Sequence, residues 1–527
     1  MYELVIRNGM IVDGTGKAGY RADIALRDGV VALIRNEISD AAEAEIDAKG
    51  LIIAPGFIDN HSHSDLLVLC DNSGYNMLEQ GITTEITGMC GLGIAPASRW
   101  LSKYIGAEAV YGERMDLLMS LTSHAKLFEK VNEAGTGTNM AFYIAQGTVR
   151  IAVMGFDNRK PADEELEIMK DMVREGMENG AIGLSTGLIY PPGAYTTEDE
   201  IVELCRIVAS YGGVYCSHIR NESQHVVEAV REAIRIGEKT KIPVILSHHK
   251  IIGKNNWGKS GETLRLIEEA GSKGLEVCAD MYPYTAGATF LKSALPPRYA
   301  SQGAEALLGN LKEKAFRQEV REFILKDENT FENLVMSCGF ENIHFTMSGK
   351  PEADGKSIAG YAAETGQDPF DTMFDLLVGS EGKVFGIFTM MSDEDMERIM
   401  THPSVMFGTD GTVIVRGVAG VPRAYGTYPR ILGRYVREKK LLGVEEAVRK
   451  MTSMPAARAG LQNKGLIKQG YDADLVIFNP ETITDRSDIG NAAARNEGLS
   501  YVIVNGKIAV KDNVATGVKA GRVIRRR

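Results

Sequence analysis

The chain has 527 residues, 44% of them hydrophobic and 24% charged, the proportions of a globular protein rather than a disordered or fibrous one. At roughly 100–200 residues per domain, that length predicts two to four structural units. Acidic residues outnumber basic ones, 70 to 59, for a net charge of −11, which argues against general nucleic-acid binding because that needs a basic face.

The opening Met1-Tyr2-Glu3-Leu4-Val5 lacks the basic-then-apolar order of a leader peptide. No run approaches the roughly 18 uncharged apolar residues that a membrane helix needs. Six cysteines (Cys70, Cys90, Cys205, Cys216, Cys278, Cys338) have no paired spacing, as suits free thiols in a reducing cytoplasm. A cytoplasmic chain with no membrane partner is therefore expected, and its oligomeric state stays open.

Residues 1–50 alternate apolar and polar positions between turns. Asp23–Leu26 runs into Asp28-Gly29, and Asp-Gly between alternating stretches predicts a hairpin. From about 55 to 455 the pattern becomes short β-branched strands followed by helical stretches. The strands include Gly81–Thr87, Val214–His218, Val244–His248, Val277–Asp280 and Val405–Asp410. Among the helices are Glu164–Glu178, Thr197–Tyr211, Val226–Thr240 and Glu445–Ser453. Such alternation predicts a parallel sheet, and a TIM-like (β/α)8 barrel matches the size. Residues 287–345 break the rhythm with a charged helical stretch near Glu305–Lys326, read as an excursion at the barrel mouth with strands resuming near Ile343. The last sixty residues return to strands, at Asp474–Phe478 and Tyr501–Val504, the second closed by Asn505-Gly506. The expected division is a small β-sandwich built jointly from 1–54 and 456–527, a barrel over 55–455, and the 287–345 insertion. The final Arg525-Arg526-Arg527 reads as a solvated end.

The sharpest chemical feature is Phe57-Ile58-Asp59-Asn60-His61-Ser62-His63. Residues i and i+2 of a strand share a side, so His61 and His63 project together as a metal half-site. The alternative is two incidental histidines, but His218 and His248 also end predicted strands, and a parallel barrel gathers such ends on one face. His249 should point away, and His124, His225, His344 and His402 read as ordinary residues. Asp410 closes the last barrel strand. A carboxylate facing four histidines can take a proton from water and pass it to a leaving group.

These motifs resemble the amidohydrolase superfamily and, within it, the D-aminoacylase (N-acyl-D-amino-acid deacylase) group. The resemblance runs over nearly the whole chain. It rests on Pro55–His63, Gln80–Thr84, Gly88-Met89-Cys90-Gly91, Gly183–Gly193, Ser247-His248-His249-Lys250 and Tyr425–Arg430. It implies zinc-dependent hydrolysis of an N-acyl-D-amino acid to a carboxylate and a free D-amino acid. Many two-metal relatives use a carboxylated lysine as bridge, yet Ala141–Ile151 contains no lysine, and the resemblance gives that place to Cys90. It implies a tight Zn2+ on Cys90, His218 and His248, with a second, weaker metal at His61 and His63 sharing the thiolate. Substrate-carboxylate contacts fall on Tyr190, Lys250, Tyr282 and Arg423, and the acid/base role on Asp410. Rival readings are a cyclic-amide hydrolase of dihydroorotase or hydantoinase type, a dipeptidase, and a non-catalytic scaffold of the same fold.

Overall fold

The structure, a computed structural model, describes residues 1–326, 331–413 and 420–526. At its centre are eight strands buried along their whole length. They are β1 (Phe57–Asp59), β2 (Ile82–Thr87), β3 (Asn139–Ala145), β4 (Gly183–Gly187), β5 (Val214–His218), β6 (Val244–Leu246), β7 (Val277–Met281) and β8 (Val405–Phe407). Each lies parallel to the next. The segments leaving β8 and β1 close the ring, with Asp410 N donating to His61 O at 2.8 Å and His63 N to Gly411 O at 2.7 Å. The expected barrel is therefore present.

Strands covered on both faces bury apolar residues toward each side, although β2, Ile-Thr-Thr-Glu-Ile-Thr, is polar at four of its six positions. Ile58, Ile86, Ala141, Cys216, Ile245 and Met406 pack inside the ring. Phe57, Ile82, Phe142, Ile144, Val244 and Leu246 pack outward against the helices. In the helix Val226–Thr240, Val226, Val230, Ala233 and Gly237 are buried at helical spacing, which seats one face on the barrel. Among the described residues no helix is long and apolar enough to cross a membrane.

The terminal strands form two sheets. One is four-stranded and comes from residues 2–47 alone. The other is seven-stranded and mixes both ends of the chain, with Ile52–Pro55 antiparallel to Leu475–Phe478. Ile6, Ile24 and Leu26 of the first sheet share a core with Ile53, Leu475 and Ile503 of the second. The hairpin at Asp28-Gly29 forms as its sequence predicts, with φ of 54° and 74° at the two turn residues. Those angles give the twist that suits a two-residue turn.

Two expectations need correction. Ile343–Thr346 does not resume the barrel. It pairs antiparallel with Phe385–Thr389, which pairs in turn with Ala286–Phe290. The excursion thus runs past residue 345 to at least Thr389, over a core that includes Leu291, Ile324, Phe345, Phe374 and Phe388. Its sheet is held by partners about forty and about a hundred residues apart, which local pattern cannot reveal. The described residues of the tail, up to Arg526, are not a free end either. Ile524 N donates to Met140 O at 2.7 Å and Arg526 N to Gly180 O at 2.9 Å, because the apolar Val523 and Ile524 draw the tail across the barrel; Arg527 lies outside the described residues.

Candidate metal centre and active site

All the residues singled out from the sequence meet at the C-terminal end of the barrel, though by a different local route than expected. His61 and His63 lie beyond β1, in a bent segment rather than on a strand. His248 and Asp410 likewise follow strands that end at Leu246 and Phe407. Cys90, His248 and Asp410 have φ of 52°, 33° and 48°. Left-handed backbone is uncommon for residues with a Cβ and is tolerated where surrounding contacts enforce it. Here they do, since His248 N donates to Asp280 Oδ1 at 2.6 Å. Gly187 has no side chain for a matching reason: a Cβ there would stand 2.0 Å from the Cys90 carbonyl oxygen.

Cys90 Sγ sits at the middle, 3.3 Å from His61 Nε2 and 3.3 Å from His248 Nε2. His61, His63 and Cys90 form one group of donor atoms close enough to share a metal ion, and Cys90, His218 and His248 form another. Both ring nitrogens of His218 are buried without a hydrogen-bond partner, and so is His63 Nδ1. Buried polar atoms are rarely left so, and the orphaned donors fit a cation. Burial drives the His218 and His248 pKa well below the ordinary value, leaving neutral imidazoles with lone pairs to offer. Burial also pushes the Cys90 thiol well up, a penalty that a metal reverses by holding the thiolate. One thiolate with several imidazoles is a donor set suited to zinc.

Asp410 Oδ1 lies 3.2 Å from His63 Nε2 and 3.6 Å from His61 Nε2, while Oδ2 is 3.0 Å from Arg423 Nη2. Burial alone would raise this carboxyl, but the Arg423 guanidinium and the His63 hydrogen bond hold it well below the usual range. Arg423 also donates from Nε to Asp410 O at 2.7 Å and from Nη2 to Ala288 O at 3.0 Å, leaving Nη1 buried and unpartnered. Lys250 donates to both oxygens of Glu222, at 2.7 and 2.8 Å. The Tyr282 ring lies under both cations, 5.6 Å from Lys250 Nζ and 4.9 Å from the Arg423 guanidinium carbon. Tyr190 packs edge-on to His218, at 5.1 Å between ring centroids. All these groups except the fully buried His61 border one cavity of about 370 Å³. His249, as expected, turns away, 2.8 Å from Thr263 Oγ1.

Two carboxylates escaped the sequence reading. Asp280 Oδ1 is 3.1 Å from His61 Nδ1, and Glu222 Oε1 is 3.2 Å from His248 Nδ1. Each engages the far nitrogen of an imidazole and so turns Nε2 toward Cys90, as carboxylates behind metal-binding histidines do. The available signal was position: Asp280 lies in β7 one residue from its end, and Glu222 follows His218 by four.

A family model described as "Amidohydrolase family" matches residues 44–510. The chain belongs to the amidohydrolase family. This amidohydrolase is 35% identical over 530 residues to the D-aminoacylase of Alcaligenes xylosoxydans xylosoxydans, covering 100% of this chain and 98% of that one. It is 33% identical over 525 residues to the N-acyl-D-glutamate deacylase of the same organism, covering 99% and 96%. A crystal structure of the Bordetella bronchiseptica N-acyl-D-glutamate deacylase, complexed with zinc and a phosphonate mimic of the tetrahedral intermediate, matches with a TM-score of 0.83. Its identity is 31%, over 99% of both chains. The resemblance read from the motifs thus holds along the whole amidohydrolase chain.

Proposed function

We propose that this amidohydrolase hydrolyses N-acyl-D-amino acids to a carboxylate and a free D-amino acid, with zinc as its metal. The observation that carries this is the convergence of Cys90, four histidines and Asp410 at one end of a barrel, beside a buried arginine with a free Nη1. A tight zinc on Cys90, His218 and His248, with a weaker one on His61 and His63 through the same thiolate, is the arrangement we favour. Bound there, zinc supplies Lewis acidity at the scissile carbonyl and lowers the pKa of the attacking water.

The protein's own residues do the rest. Asp410, held ionised by Arg423, accepts the proton of the attacking water and delivers it to the departing nitrogen. Arg423 presents Nη1 to the substrate α-carboxylate, replacing the water that this group sheds on entry. Lys250 is already spent on both oxygens of Glu222, so its part is to keep Glu222 in place and add positive potential. Tyr190 and Tyr282 wall the space between. Catalysis falls to residues 55–455, while 1–54 with 456–527 serve as support. Six cysteines with no disulfide among the described residues suit a cytoplasmic setting. A panel of N-acetyl-D- and N-acetyl-L-amino acids, assayed with and without added zinc, tests the reading. Zinc-dependent turnover of the D series is expected; turnover of the L series alone would overturn it.

A further inference from the structure

We infer that the acyl group removed by this enzyme is an apolar chain well beyond acetyl in length, an inference that rests on the hydrolysis proposed above. The cavity of about 370 Å³ falls in the range of pockets that enclose drug-sized ligands. At about 30 Å³ per water it has room for roughly a dozen waters, a space shared by the acyl group, the scissile amide, the α-carboxylate and the amino-acid side chain.

Two points of the substrate are fixed by the site. The scissile carbonyl must reach the His63, Cys90 and Asp410 end, and the α-carboxylate must reach Arg423. The wall beside Arg423 belongs to the excursion. Ala288 O accepts from Arg423, and Phe290, two residues on and about 7 Å along the strand, faces the cavity beside its cross-strand partner Phe385. The substituent next to the carboxylate, the amino-acid side chain, meets that wall.

The acyl chain leaves from the scissile carbonyl. Leu66 stands three residues beyond His63 and Leu92 two beyond Cys90, and with Ile105 and Ile151 they line the cavity outward from the metal-binding residues. The lining residues from Leu66 to Tyr111, with Gly147 and Ile151, are themselves uncharged, although Lys383 of the same lining reaches the wall at Gly106, where a Cβ would stand 3.8 Å from its Cε. An acetyl group leaves the wall in contact with water, whereas a longer chain covers it and gains the free energy of apolar burial.

The test is kcat/KM of the zinc-loaded enzyme for N-acetyl-, N-butanoyl-, N-hexanoyl- and N-octanoyl-D-leucine. Each added methylene is expected to raise kcat/KM about fourfold, the factor that ~0.8 kcal/mol per buried methylene gives, until the wall is covered. Leu92→Phe should move the optimum to shorter chains. Ile105→Phe is the second probe should Leu92→Phe fail to fold, and Phe385→Ala should leave the optimum in place. Turnover with a flat or falling chain-length profile overturns this inference alone. An optimum shifted by Phe385→Ala and by neither wall variant also overturns it. Zinc bound with no turnover of any member overturns the hydrolysis reading as well.

Discussion

Lys250 at the barrel mouth and Lys450 behind β8 are both buried, yet their surroundings treat the charge in opposite ways. Lys250 meets both oxygens of Glu222; burial opposes its charge, but Glu222 prevails and the pKa rises. Lys450 donates to Met400 O at 2.7 Å and His402 O at 2.6 Å. Burial wins here, with Glu446 and Arg449 acting in opposite directions, and its pKa falls to about 8. Neutral acceptors satisfy hydrogen bonds without restoring the solvation of a charge, whereas a carboxylate does both. The mouth thus keeps Lys250 an ion by setting a carboxylate against it, and the wall merely tolerates Lys450.

If that contrast is right, changes at the mouth should cost activity and changes in the wall should cost only stability. Cys90→Ala is expected to have the largest effect, losing stoichiometric zinc and turnover together. Metal analysis showing a full complement of zinc would sink its assignment as a ligand. Asp410→Asn comes next, and should retain zinc while turnover falls by the roughly 10²–10⁴-fold typical of general acid–base groups; near-normal rates would mean another base.

Arg423→Ala should reduce kcat/KM by about 2–5 kcal/mol, the range for stranding one partner of a buried charge pair. Amidating the α-carboxylate should then harm wild type heavily and the variant little. A loss confined to N-acetyl-D-glutamate would show that Arg423 reads the side chain.

The smallest effect belongs to the wall. Free lysine titrates near 10.4, so between about pH 8 and 10.4 the unfolded chain holds a proton that folded Lys450 has released. Stability carried by this group therefore rises with pH across that window. Lys450→Met should flatten the slope of Tm against pH there and leave turnover unchanged; an unaltered slope would mean Lys450 is not the titrating group.

The sequence carried more of the barrel than of its mouth. Short strand-like runs, each followed by a helical stretch, made β2, β5 and β7 stand out, and Asp28-Gly29 announced its own hairpin. The histidines were found because there are few of them and they sit at strand ends. Asp280 and Glu222 were missed because an acidic residue is common and gains meaning only from the imidazole that the fold sets before it. Arg423 was found through resemblance, but its grip on Asp410 depends on the loop between them, and residues 414–419 of that loop lie outside the described residues. The extent of the excursion was unreadable because Ile343–Thr346 looks locally like any strand.

The pairing of Ile52–Pro55 with Leu475–Phe478 has a consequence in time. On its other side Ile52–Ile53 has an early partner in Met10–Ile11, so one edge of a buried strand is satisfied soon after synthesis begins. The other edge waits while 423 more residues are translated, the distance from Ile52 to Leu475, or roughly 20 to 80 seconds at 5–20 residues per second. Throughout that interval the ribosome displays Ile-Ile-Ala-Pro as an open edge, the kind of template on which nascent chains stick to one another. Slowing translation of the second half of the message should therefore lower the soluble yield, even though no residue of the finished enzyme has changed.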